Sequence, residues 1–235
     1  MQGQTHLING TVRMCHTSCD ILDAGTLQDY LTTVASWVRS HPYDVITILL
    51  ANGDYSGIGN FTAPILNSGL GPYLYTPPKI PMGVGDWPTL SQMILTGKRV
   101  VVFMDYNANQ TQVPYVLDEF SQMWETPFDP TNITFPCVVQ RPPGINRQQA
   151  LDRMYMINHN LNLEINYLSV NILIPNLAYV NITNGVSGEG SLGLSTNSCI
   201  GKLPLSPSSP LYRIKENKTL TRIQQPTGAV RPTGS

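Results

Sequence analysis

Four apolar runs in this chain end in residues able to move or orient a proton. TVRMC is closed by His16, VITILLA by Asn52 and Asp54, VVVFM by Asp105, and MYMI by Asn158 with His159. Histidine titrates near neutrality and can donate or accept a proton. A carboxylate such as Asp105 can orient it, and Asn52 and Asp54 offer hydrogen bonds to a polar substrate. The chemistry open to such a set is general acid–base catalysis. Each residue also has a plain structural alternative: a histidine packed at a strand end, an aspartate capping a loop, or Asn52-Gly53-Asp54 forming the turn itself. Asp20 and Asp23 read as helix-entry residues and His6 and His41 as surface. Lys98-Arg99 reads as a charge pair at a helix end. No Gly-rich phosphate loop and no nucleophile elbow occurs.

The elements that must hold these groups follow from periodicity. Leu27, Tyr30, Leu31, Val34, Trp37 and Val38 form one stripe at helical spacing. Thr26 with Asp29 predicts its cap, and His41-Pro42 its end. Val45–Ala51 is apolar and β-branched, as a strand covered on both faces is. Strand, helix and covered strand in this order predict a βαβ unit of a parallel sheet, in which sites lie at the carboxyl ends of the strands. Residues 2–8 and 11–15 read as extended pieces joined at the Asn9-Gly10 turn. Further helices are expected around Pro64–Leu70, over LSQMIL between Thr89 and Gly97, across Val113–Trp124, and over Arg147–Arg153. Val100–Met104 and Met154–Asn158 read as strands, Val138-Val139 as a short one, and residues 161–194 are ambiguous.

Hydrophobic residues make up 41% of the 235 and charged residues only 12%, about half the roughly 25% usual in globular proteins. Six Asn-x-Ser/Thr acceptors, at Asn9, Asn60, Asn109, Asn132, Asn181 and Asn217, suggest a secreted glycoprotein whose sugars keep it soluble. Four cysteines suit the same compartment and allow three pairings. Cys15–Cys19 across a tight turn with Cys137–Cys199 as a long staple is favoured; free buried thiols are the alternative. A zinc site lacks a second close Cys or His pair. No apolar run reaches the roughly 20 residues of a membrane span. MQGQTHLING does not resemble a signal peptide, which predicts a natural start further upstream.

Residues 1–199 carry 14 acidic and 8 basic residues, net −6, whereas 200–235 carry one acidic and six basic, net +5. The expected organisation is therefore one domain over 1–199 and a disordered Pro/Ser/Thr-rich tail over 200–235. An acidic body without interleaved basic and aromatic residues gives no sign of nucleic-acid binding.

The blocks MCHTSCDILDAGTLQDYLTTV, HPYDVITILLANGDY, GKRVVVFMDYNANQT, DEFSQMWETPFDPTN, FPCVVQRPPG and RMYMINHNLNL together resemble fungal phospholipase-C-like phosphodiesterases. These are of the phosphatidylinositol-specific phospholipase C X-domain type, and the likeness covers about residues 1–198. It implies an α/β fold of the (β/α)8 TIM-barrel kind, here incomplete, with the first and last strands missing. It implies cleavage of a phosphodiester in a phospholipid head group or another small phosphodiester, by a monomer. In the family one histidine takes a proton from a neighbouring hydroxyl and a second protonates the leaving alkoxide. His16 matches the second, the general acid. Asn52 and Asp54 fall in the loop that contacts substrate or metal; Asp105 and His159 are further candidates. The family's first histidine precedes the start of this sequence, so the resemblance implies a chain close to inactive. Gln2-Gly3-Gln4 stands where calcium-dependent members carry Glu-x-Asp and metal-independent ones an arginine. No cofactor is expected, and a calcium site would lack its usual carboxylates. The alternative is a non-catalytic secreted glycoprotein that binds a head group or glycan.

Overall fold

A computed structural model describes residues 1–16, 18–167 and 170–202. The chain divides into two compact units, Met1–Gln122 and the residues from Met123 onward.

The first unit is built on a six-stranded sheet. Its strands are β1 (Gln2–Ile8), β2 (Thr11–His16), β3 (Ser18–Thr26), β4 (Ile46–Asn52), β5 (Val100–Met104) and β6 (Val116–Asp118). Their spatial order is β3-β2-β1-β4-β5-β6. Asn9 and Gly10 take φ of 50° and 77°, the conformation of a tight hairpin turn, so β2 runs antiparallel to β1. The chain then doubles back again as β3, antiparallel to β2. Helix α1 (Leu27–Ser40) starts at Thr26, whose hydroxyl accepts from the Asp29 amide. Leu27, Leu31, Val34, Ala35 and Val38 are its buried stripe. After it, β4 enters parallel to β1, and β5 and β6 continue in parallel.

Helix α2 (Gly59–Asn67) adds Phe61 and Ile65 to the core that Val12, Met14, Ile48, Leu50, Val102 and Met104 form with α1. Helix α3 (Leu90–Thr96) has the expected start and stop: Thr89 and Gln92 form a capping box, and Gly97 is left-handed. The other face of β5 is covered too, with the Trp87 ring 5.9 Å from that of Phe103. Residues 113–124 do not form the expected helix. Val116 and Leu117, both fully buried, complete the parallel edge as β6, and only Glu119–Gln122 is helical (α4), started by the Asp118 carboxylate on the Ser121 amide.

The second unit holds two small sheets. In one, β7 (Met123–Glu125) pairs in parallel with β8 (Met154–Met156); in the other, β9 (Asn162–Tyr167) and β10 (Val170–Pro175) form a hairpin. Helices α5 (Arg147–Leu151), α6 (Val180–Thr183) and α7 (Leu192–Lys202) accompany them. Val138-Val139 is not a strand. A Cys137–Cys199 disulfide ties α7 back to the loop after β7, and Cys15–Cys19 closes a five-residue turn in the first unit. Helix α7 runs on through Ile200 to Lys202, past the expected domain end at 199; the rest of the basic tail lies outside the described residues.

Two expectations are corrected. The described residues form no closed (β/α)8 barrel: the large sheet is open, with β3 and β6 as edges, and the remaining strands belong to separate two-stranded sheets. A barrel of that kind needs parallel strands joined by crossovers, and here two of the first three connections are reversals. The βαβ unit is also displaced. The parallel neighbour of β4 is β1, not the β2 strand that carries His16.

Candidate functional site

Because β1, β4 and β5 run in the same direction, their carboxyl ends gather polar groups on one edge of the sheet. The Asp105 carboxylate accepts the Asn52 backbone amide at 2.8 Å across the end of the β4–β5 pair. Asn52 is buried, and its side chain is spent on the loops. Its Nδ2 donates to the Ser56 and Tyr106 carbonyls at 2.9 and 3.0 Å, and its Oδ1 accepts the Ser56 amide at 3.0 Å. These bonds fix the 52–56 turn against the 105–107 segment, where the Tyr55 and Tyr106 rings lie 4.9 Å apart.

Asp54, two residues on, reaches back to β1. Its Oδ1 accepts from His6 Nδ1 at 2.7 Å and its Oδ2 from the Leu7 amide at 2.7 Å. Partial burial draws this carboxyl upward, but the Leu7 amide and His6 outweigh it, and the net result lies below the ordinary carboxylate value. His6 itself is mostly enclosed, its side chain 14% exposed. Nδ1 donates to the carboxylate, and Nε2 is the other ring nitrogen. That atom is buried without a hydrogen-bond partner among the described residues.

His16 sits elsewhere. Met14 is paired with Thr5, and Thr5 with Asn52; His16 lies two residues beyond Met14 on a strand of opposite direction. At about 3.3 Å per residue, it is displaced along the strand axis roughly 13 Å from Asp54, toward the amino end of β1. It is exposed, at the entrance of the turn that Cys15–Cys19 closes. Through Gly3 it is nevertheless level with Leu50 and Met104, so along the strand axis it lies roughly 7 Å from Asn52, at the same end of the sheet but on β2, two strands away from β4.

His159 belongs to the second unit. Its Nε2 donates to the Gly190 carbonyl at 3.1 Å and its ring lies 3.7 Å from that of Phe135. Burial holds it below the ordinary histidine value of 6.5, against the opposing pull of backbone bonds to Gly190 and Thr183. Protonation is therefore disfavoured in the folded state. As pH falls below about 6.5 the unfolded chain takes up more protons, and stability falls with it. His159 is the only histidine after residue 122. Melting the wild type and His159→Gln between pH 7.5 and 5.5 is expected to show a loss in the wild type that the variant largely lacks.

Beside it lies a group that sequence reasoning passed over. Glu125, 1% exposed, pairs with the Arg141 guanidinium through Nε at 2.8 Å and through Nη2. Asn158 Nδ2 donates to the same carboxylate at 3.1 Å. Glu125 closes β7 and Asn158 follows β8, so the carboxyl ends of this parallel pair are also polar. The pattern "apolar run, then acid" in MWE was the available signal, hidden inside the expected helix. For His6 the signal was weaker: Gln2, Gln4 and His6 alternate on one face of β1, but only the β1–β4 register shows that Asp54 meets it.

Among the described residues no three of His, Cys, Asp and Glu converge to hold a metal ion, and no helix is long and apolar enough to cross a membrane. Asn9, Asn60, Asn109, Asn132 and Asn181 are all exposed.

A family model for the PI-PLC X domain matches residues 1–212. An uncharacterized secreted protein of the fungus Arthroderma benhamiae is 55% identical over 208 residues, covering 88% of this chain and 47% of its own length. A PI-PLC X domain-containing protein 1 of the same fungus is 41% identical over 202 residues, covering 85% of this chain and 64% of its own. The chain thus spans between about half and two thirds of these relatives. No solved structure matches it.

Proposed function

Because the chain belongs to the PI-PLC X family, we propose that it is a secreted phosphoric diester hydrolase acting on a phospholipid head group. The observation that carries this reading is the family match over residues 1–212. A hydroxyl next to the phosphate gives its proton to water and attacks phosphorus, the bond to the leaving oxygen breaks, and His16 gives that oxygen a proton. The exposure of His16 at a strand end suits a group that must meet substrate. Asp54, Asn52 and Asp105 shape the same end of the sheet, with Asn52 and Asp105 acting through the turns they fix. His159 is a candidate contact in the second unit.

Calcium does not fit the residues present. Gln2 and Gln4 share a face of β1 and offer neutral amides, and the Gln2 Oε1 is buried without a partner among the described residues. A hard divalent cation is held by carboxylates, so no step is routed through one.

The test is turnover of phosphatidylinositol by the purified chain. Wild-type cleavage is expected to be slow, because no base for the attacking hydroxyl is assigned among these residues, and His16→Ala is expected to lower kcat by a further factor of about 10²–10⁴, the usual worth of a positioned acid. Turnover unchanged in His16→Ala would remove His16 from the mechanism. A second reading is a secreted glycoprotein that binds a head group without cleaving it; the exposure of all five described acceptor asparagines supports the sugars in either reading. Saturable binding of inositol phosphate with no turnover would select it, and a mass shift on glycosidase treatment would test the sugars.

A further inference from the structure

Three asparagines in this chain precede a glycine: Asn9, Asn52 and Asn184. In such a pair the glycine nitrogen can attack the asparagine side-chain carbonyl, because no Cβ hinders the approach and glycine lets the backbone turn toward it. The structure treats the three pairs differently. Asn52 is 1% exposed, and both ends of its side-chain amide are bonded, to the Ser56 amide and to the Ser56 and Tyr106 carbonyls. At Asn184 the attacking group is engaged: the Gly185 amide donates to the Ile182 carbonyl at 2.9 Å.

Asn9 has neither restraint. It and Gly10 are both exposed, at the tip of the β1–β2 hairpin beyond its last cross-strand pair, Ile8 with Thr11. The Gly10 amide donates to no backbone carbonyl among the described residues. The space around Gly10 is open, since a Cβ there would meet nothing within 4 Å. A turn outside the ladder can change its torsions without breaking a strand bond. We propose that Asn9 is where this protein modifies itself: its side chain closes onto the Gly10 nitrogen, and a sugar carried by Asn9 prevents the closure. The protection rests on the glycoprotein reading above; the reactivity rests on the structure alone.

The chemistry balances with water as the co-reactant. The Gly10 nitrogen loses its proton and bonds to Asn9 Cγ, and the side-chain nitrogen leaves as ammonia, which closes a cyclic imide. Water then opens the ring at either carbonyl. One opening gives aspartate; the other routes the main chain through the side chain, as isoaspartate. Either adds a carboxylate, and isoaspartate lengthens the short turn that sets the β1–β2 register. Asn9-Gly10-Thr11 is also an acceptor for N-linked sugar. The sugar is attached to the same nitrogen that must leave, so an occupied Asn9 keeps its side chain.

Wild type and Thr11→Ala, both secreted from a glycosylating host, separate the two halves. Thr11 is exposed, and alanine there removes the acceptor motif while leaving Asn9-Gly10 in place. Both proteins are held at mildly alkaline pH in water enriched in heavy oxygen and digested, and the peptides are mapped by mass, with isoaspartate distinguished from aspartate. Folded Thr11→Ala is expected to lose ammonia and take up heavy oxygen at Asn9, with isoaspartate appearing, while Asn52 and Asn184 stay intact. The wild type should keep Asn9 under its sugar. Unfolded in guanidinium, Thr11→Ala should rearrange at all three sites. No change at Asn9 in folded Thr11→Ala, or an equally fast change at Asn52 or Asn184, would overturn the assignment. Rearrangement at Asn9 alone even in the unfolded chain would remove the fold as its cause. A glycosylated wild type that rearranges at Asn9 as fast as Thr11→Ala would overturn the protection. A wild type bearing no sugar at Asn9 would overturn the protection and the glycoprotein reading at this residue, while the reactivity stands or falls with Thr11→Ala.

Discussion

Replacing Arg99 with methionine is expected to destabilise the first unit by about 3–5 kcal/mol, because a single guanidinium closes the carboxyl end of α1. Arg99 is 4% exposed. Its Nη2 donates to the Val38 carbonyl at 2.6 Å, and its Nη1 to His41 and Asp44 carbonyls at 2.8 and 3.0 Å. These carbonyls lie at and just beyond the last turn of α1, where the Val38 and His41 carbonyls have only long amide bonds, from His41 and Asp44 at 3.3 Å each. The positive charge also faces the negative end of the helix, and the guanidinium lies 5.1 Å over the Tyr73 ring. Methionine fills similar volume and offers no donor, so three carbonyls lose the guanidinium together, and Val38 and His41 are left with their 3.3 Å backbone bonds. Lys98→Met is the control. Its amine meets only the exposed Pro72 carbonyl, and its loss should cost under about 1 kcal/mol. Urea unfolding gives the difference, and amide exchange over residues 34–52 should quicken in Arg99→Met alone. Equal stability of the two variants would remove Arg99 from its capping role.

The second large effect is expected in the other unit, and it is asymmetric. Arg141→Met leaves the Glu125 carboxylate buried without its guanidinium, with the Asn158 amide still donating to it. Breaking a buried pair in this way costs about 3–5 kcal/mol. Glu125→Gln should cost less, because Arg141 keeps 23% of its side chain in solvent and stays 4.6 Å over the Phe128 ring. The double variant, with no charge left to strand, should be more stable than Arg141→Met by itself. Denaturation of the four proteins forms a double-mutant cycle. Additive losses would mean that the two groups do not depend on each other.

What the sequence made legible was whatever is settled within a few neighbouring residues. The stripe of α1, its Thr26 cap, the left-handed Gly97 and the Asn9-Gly10 turn are all local chemistry, and they lie where periodicity and capping place them. The direction of β2 was in principle readable from the same turn, because a hairpin reverses the chain. His16 ends a strand of the opposite direction, yet the register sets it level with Leu50 and Met104, at the end of the sheet where Asn52 and Asp105 lie. Strand β3 had no local signal. Its residues SCDILDAGT are mostly exposed and include two aspartates and a glycine, and pairing with β2 alone makes it a strand. Residues 113–124 carried an apolar pattern compatible with a helix. Burial of both Val116 and Leu117 beside β5 decided otherwise. Arg99 illustrates the same limit at a single residue: it follows α3 in sequence and serves α1, a contact that spans some sixty positions. The meeting of His6 with Asp54 depends likewise on the β1–β4 register, which no short window contains.

The Cys15–Cys19 bridge has a consequence for how this protein is handled. His16 is the first residue inside the ring it closes, so the setting of that imidazole is conditional on an oxidised pair of thiols. Disulfides persist in secretory compartments and are rare in a reducing cytosol. Material made in the cytosol of a host would have the same sequence without the Cys15–Cys19 bond, and a thiol reductant in the buffer would have the same effect. Measurements on His16 then describe two chemically different proteins, according to the redox history of the sample.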